Sequence, residues 1–138
     1  MKIRRRARTV AIQALYELDL THHSPAAVLE QRIVEAGLPQ QGIPFARHLV
    51  TGVLKSKEKL DGMIQQYAPE WPIEQMAPID RNILRLALFE FGIDGQTPVK
   101  VAINEAVELA KLFGSDSAPR FINGVLGSLA GEPPSLKK

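Results

Sequence analysis

The chain contains no cysteine, which removes disulfides, thiolate-bound zinc and cysteine nucleophiles together. Long apolar runs are missing too. No stretch approaches the roughly 18 residues needed to span a bilayer, so no membrane partner is expected. The start MKIRRRAR imitates the charged region of a signal peptide, but the TVAIQALYELDL that follows carries Glu17 and Asp19 at helical spacing. It is not the apolar region of a leader, and a cytoplasmic location is expected. No strand-like alternation runs long enough to matter. A glycine-rich phosphate loop, a nucleophile elbow and a metal-binding signature are all absent. His22 and His23 are neighbours that point apart on a helix, and His48 has no carboxylate at ligand spacing along its own helix. Glu105 and Glu108 face away from Ala102, Ala106 and Leu109 and read as solvated. No catalytic residue, metal or cofactor is expected, and the chain is not expected to be an enzyme.

What is present fits one globular unit. The 138 residues are 45% hydrophobic and 23% charged, near the average for folded domains, and a chain this long buries about two-thirds of its unfolded surface. Net charge is only +2, but it is unevenly placed. Residues 1–20 hold five basic and two acidic groups, and Lys137 and Lys138 add two more positive charges, leaving residues 21–136 at −3. A mildly acidic body with a concentrated basic arm suits a polyanion site of limited extent.

Helical spacing recurs throughout. A first helix is expected over 4–20, with Ala7, Val10, Ala11, Ala14, Leu15 and Leu18 as its apolar stripe. A second follows Ser24, read as its cap, with Pro25 in first position and a stop near Gly37. The third is expected to run unbroken from Pro44 to Tyr67, burying Phe45, Leu49, Val53, Leu60, Ile64 and Tyr67, with the mixed charge run at 55–59 as its solvated middle. Pro69, Pro72 and Pro78 punctuate a loop holding Trp71. Residues 80–91 are apolar on nearly every side and belong at the centre of a bundle. Thr97-Pro98 reads as the start of a helix that ends at Phe113, with Gly114 as a left-handed stop. A last helix runs from about 116–119 to 130. The expected architecture is all-α, about seven helices in a single domain over 1–138, with subdomains 1–68 and 72–130 and a loose tail at 131–138.

The sharpest chemical signal is Arg4, Arg5, Arg6 and Arg8. Four guanidinium groups within five residues repel one another unless something anionic neutralises them, and arginine offers paired donors to phosphate. The same cluster also suits a solvated basic end. At 100° per residue, Arg5, Thr9, Ile12 and Tyr16 share a face away from the core stripe, where a base stacks on the ring and the arginine holds its phosphate. Cover by another helix is the alternative. In the closing segment, Phe121 sits at the edge of a core stripe formed by Ile122, Val125, Leu126 and Leu129. Gly124 and Gly127 each cost roughly 1 kcal/mol relative to alanine in a helix, pointing to close approach by another helix or by a ligand backbone.

The segments RRRARTVAIQALYELDL, GVL, LDGMI, PIDRNILRLALFE and PVKVAINEAVELAKLFGSDSAPRFINGVLG together resemble the NusB family of transcription antitermination factors, in order and spacing, over nearly the whole chain. The resemblance implies two packed helical subdomains and a partner, the small-subunit ribosomal protein NusE. The pair is expected to bind single-stranded boxA-like RNA of ribosomal RNA transcripts and to help assemble the antitermination complex on RNA polymerase. It also implies RNA contacts at Arg4, Arg5, Arg6, Arg8, Tyr16, Arg120 and Phe121, and a NusE contact at Asp80. Monomer and homodimer both remain open. One departure is Gly127, where the family usually carries an acid. A similar domain opens a ribosomal RNA cytosine methyltransferase, whose catalytic cysteine has no counterpart here. A helical adaptor that binds only proteins is a further alternative, one that has no need of four clustered arginines.

Overall fold

The computed structural model describes residues 2–131; most of the tail expected at 131–138 lies outside them. Among the described residues there are seven α-helices and no strand, as the spacing requires.

Helix α1 (Lys2–Leu20) buries Ala7, Val10, Ala11, Ala14 and Leu15. Three of these are alanine, whose short side chains let α2 (Pro25–Ala36), α3 (Ile43–Lys55) and α5 (Pro78–Leu88) approach closely. Pro25 occupies the first position of α2 as expected, but the Ser24 hydroxyl makes no capping hydrogen bond. At its other end Gly37 adopts a left-handed φ of 61°, and N–H groups beyond the last turn return to the carbonyls of Ile33 and Val34, the usual glycine-terminated helix end.

The single helix expected from Pro44 to Tyr67 is two. It breaks at Ser56 (φ −103°, ψ 12°) into α3 and α4 (Lys57–Tyr67). The break has a packing reason: α3 lies on α1, whereas α4 packs on α5 and α7 (Ala118–Ala130), and one straight rod cannot follow both surfaces. The expected apolar positions are inward all the same, with Leu49, Val53, Leu60 and Ile64 fully buried. Lys55, Lys57, Glu58 and Lys59 at the break are exposed.

Helix α5 is the axle of the molecule, touching α1, α3, α4, α6 (Val99–Phe113) and α7. Every residue from 82 to 91 is buried. It ends in a π-turn over Phe89–Ile93, closed by the Asp94 N–H on the Phe89 carbonyl at 2.8 Å. Before α6, Pro98 immediately precedes the first turn, and Thr97, expected as the cap, turns its hydroxyl inward to Glu90 instead. Gly114 ends α6 in extended backbone (φ −95°, ψ −179°), not left-handed. Glycine is required there by crowding. A Cβ would stand 2.6 Å from the Ala118 Cβ and 2.9 Å from the Ala110 carbonyl oxygen.

Candidate nucleic-acid interface

The four arginines of α1 do not form one surface. Arg4, Arg5 and Arg6 are exposed, but Arg8 is only 5% exposed. Its guanidinium forms a two-pronged pair with Glu90, Nε to Oε2 at 2.9 Å and Nη2 to Oε1 at 2.8 Å. The Thr97 hydroxyl donates to the same Oε1 at 2.7 Å. Arg8 is therefore an internal tie between α1 and the π-turn, and the expectation that it contacts phosphate gives way to this geometry. Helical phase offered only part of the signal: Arg8 follows Ala7 and precedes Val10 and Ala11, beside the apolar stripe.

The other three are held in place without being covered. Arg5 donates to both carboxylate oxygens of Glu105 on α6, at 3.0 and 2.7 Å, so Glu105 is paired and not simply solvated. The hydrogen bond from Arg5 holds the Glu105 carboxyl below its usual range despite partial burial. Arg6 donates to the carbonyls of Ala36 and Gly37 at the end of α2, both at 3.0 Å, a placement favoured by the negative end of the helix dipole. Arg4 lies over the Phe45 ring at 4.2 Å from its centroid. Their mutual repulsion is thus partly relieved within the fold, by a carboxylate, two carbonyls and an aromatic face.

The face proposed for Tyr16 is split. Ile12 is fully buried, so cover by neighbouring helices is correct for that residue, whereas Tyr16 is 39% exposed. It lines a cleft of about 360 Å³ together with Gln13, Arg32, Ile79 and Phe113. Phe121 is half-buried and meets the exposed Trp71 edge-on, ring centroids 5.9 Å apart at 73°. With Arg120, Met76, Ser117 and Asp80, these rings line a second cleft of about 390 Å³. Ile79 belongs to the first cleft and Asp80 to the second, so the two meet at the opening turn of α5. Each cleft combines an aromatic ring with a guanidinium, Arg32 in one and Arg120 in the other.

Asp80 has an unusual setting. Its Oδ1 is buried without a hydrogen-bond partner, and burial raises its carboxyl above the usual carboxylate range. Asp19 shows the opposite balance. Burial alone would raise it, but hydrogen bonds from Arg81 and Asn82, with the charges of Arg81 and Arg85, bring it below. Arg81 Nε and Asn82 Nδ2 reach the same Asp19 oxygen at 2.7 and 2.8 Å. This fixes α1 against the start of α5, and so fixes the two clefts against one another.

Gly124 and Gly127 face open space, with nothing within 4 Å of a Cβ built at either. Packing by another helix is therefore not their reason. Gly124 borders a shallow surface shared with Trp71, Arg120 and Phe121.

A family model matches residues 5–131, and its family is NusB. The chain belongs to the NusB family. Among relatives, the transcription antitermination protein NusB of Roseiflexus sp. (strain RS-1) is 51% identical over 129 residues, covering 92% of this chain and 91% of its own length. The corresponding protein of Dehalococcoides mccartyi (strain CBDB1) is 50% identical over 127 residues, 92% and 89% of the two chains. Among solved structures, NusB of T. maritima superposes with a TM-score of 0.87 at 29% identity, covering 96% of this chain and 95% of that one. A structure of the antitermination factors NusB and NusE in complex with double-stranded RNA gives 0.87 at 25% identity, with coverage of 95% and 98%.

Two parts of this site escaped the sequence reading. Glu90 is an acid set between Phe89 and Phe91 in a buried, mainly apolar run, and that placement was the available signal for a buried ion pair. Trp71 sat in a proline-punctuated loop, where nothing local indicated that it would meet Phe121 from the last helix.

Proposed function

We propose that this chain is an RNA-binding antitermination factor. With NusE it takes single-stranded boxA-type RNA of ribosomal RNA transcripts and helps assemble the antitermination complex on RNA polymerase. The observation that carries the proposal is the pair of aromatic clefts meeting at the start of α5, each beside a guanidinium, with Arg4, Arg5 and Arg6 exposed at the head of α1. Rings able to stack on unpaired bases beside charges able to hold phosphates are what single-strand recognition needs. Family membership supports the antitermination role, and the relative solved with NusE and double-stranded RNA supports joint binding of NusE and RNA.

In this proposal Arg4, Arg5, Arg6 and Arg120 meet phosphates, while Tyr16 and Phe121 stack on bases. Asp80 contacts NusE at the opening turn of α5. Residues 1–68 and 72–130 act as two helical subdomains around the shared axle of α5. Arg8 is left out of the RNA set and holds α1 in register. The decisive experiment titrates boxA-like RNA against the protein with and without NusE and follows the products by size exclusion. RNA binding tightened by NusE, and NusE binding tightened by RNA to the same degree, is the expected result. Independent binding of the two would remove the joint site.

A further inference from the structure

A further groove lies away from both clefts. It runs along the outer face of α3 beside the π-turn, with a volume of about 600 Å³. Its α3 wall carries Arg47, His48, Thr51, Lys55 and Ser56, which recur at three- and four-residue spacing and so share one side of the helix. The floor depends on Gly52. A Cβ there would stand 2.1 Å from the Phe89 Cζ, so only glycine admits the ring at this depth.

The polar groups are ordered but remain accessible. His48 Nε2 lies 3.0 Å from Asp94 Oδ1, and the imidazole leans on the Phe89 ring at 5.6 Å. This fixes the ring while leaving Nδ1 for another partner. Arg47 pairs with Glu30, both side chains being about half exposed. Such a surface pair contributes little and yields readily to a stronger anion. Lys55 is exposed, and no acidic side chain among the described residues bonds to it.

The groove also continues the basic end of α1. Arg4 stacks on Phe45, and Phe45 directly follows Pro44, which borders the groove. From Pro44 to Lys55 the helix extends about 17 Å, enough for several phosphates in a row.

We infer that this α3 groove is an auxiliary binding site for the sugar-phosphate backbone of single-stranded RNA, taking nucleotides that flank the segment held in the two aromatic clefts. The inference rests on the RNA-binding function proposed above. Its Phe89 floor is covered, and the His48 imidazole on its wall is held by Asp94 and Phe89, so it holds phosphates and selects no base sequence. An acidic protein segment is the competing occupant, disfavoured because the groove is continuous with the exposed arginines assigned to RNA.

The test compares a short boxA-like RNA with the same RNA carrying a run of uridines at one end or the other. Added uridines on one side should tighten binding and steepen the log-affinity against log-salt slope by about 1.4, two phosphates at about 0.7 each. The double variant Arg47→Ala/Lys55→Ala should lose that gain and bind the short RNA as before. No gain from either extension, or a gain that survives the double variant, overturns the inference. Failure of the short RNA to bind overturns the RNA function of the clefts instead. The groove is then decided by the His48 ring resonances under titration with a uridine oligomer. A shift abolished in the double variant supports it. No shift, or a shift produced only by an acidic peptide, overturns it.

Discussion

Replacing Glu90 by glutamine tests whether Arg8 is structural. The change keeps the shape of the side chain but removes the charge that faces Arg8. Both partners are almost wholly buried, with side-chain exposures of 6% and 2%, so the guanidinium is left charged, desolvated and underpaired. Breaking a buried pair from one side typically costs about 3–5 kcal/mol. For 138 residues the unfolding entropy is about 0.29 kcal/mol/K, at about 2.1 cal/mol/K per residue. The loss therefore corresponds to a fall in Tm of about 10–17 °C. Removing the whole network tells the same story from the other side. Arg8→Met with Glu90→Met and Thr97→Val leaves no charge or hydroxyl orphaned, and stability should return to near or above the parent value, since well-packed apolar replacements of buried pairs are often neutral or stabilising. Calorimetry gives the Tm values, and RNA titration at several salt concentrations completes the test. The triple variant should bind RNA with the parental salt slope. If Glu90→Gln costs less than about 1 kcal/mol while Arg8→Met alone flattens the slope by about 0.7, Arg8 contacts phosphate and the structural assignment is wrong.

Other outcomes follow from the same geometry. Arg5→Ala/Arg6→Ala should flatten the salt slope by about 1.4, and an unchanged slope would leave the arm a solvated end. Glu105→Gln releases Arg5 from its carboxylate partner, so RNA affinity at low salt should rise by up to about fivefold; a decrease would mean that Glu105 positions Arg5 productively. Tyr16→Ala and Phe121→Ala should each cost about 1–3 kcal/mol of single-strand affinity with little change in salt slope; if folded Phe121→Ala protein binds as the parent does, the ring is only packing. Asp80 has a raised folded-state carboxyl, so folding is favoured when it is protonated, and that contribution is lost as pH rises from its unfolded through its folded pKa. Asp80→Asn should accordingly be more stable than the parent at neutral pH, an advantage that shrinks in acid and is read from urea titrations at each pH.

Much of this protein was determined by its sequence alone, because burial of a helix face leaves a mark at every third or fourth position. The stripe of α1 and the all-round apolarity of 83–91 are such marks, and the helices they imply are present. Pro25 and Gly37 likewise announce the ends of α2 through backbone geometry that belongs to the residues themselves. The exposed arginines, Tyr16 and Phe121 were also legible as candidates, and their family context narrowed what they are for.

What required tertiary structure was every property set by residues distant in the chain. Ser56 breaks a helix whose local pattern runs on, because α3 packs on α1 whereas α4 packs on α5 and α7. Arg8 and Ile12 are buried by elements that a helical wheel does not contain, and Arg8 differs from its neighbours only because Glu90, 82 residues away, meets it. Gly114 needs its missing side chain because Ala118 and the Ala110 carbonyl crowd it, not for a left-handed turn. The two clefts meet only because Asp19 of α1 is bound to Arg81 and Asn82 of α5. Periodicity reports which face of a helix is apolar, but partner identity depends on where the chain returns, and that is decided by packing of the whole.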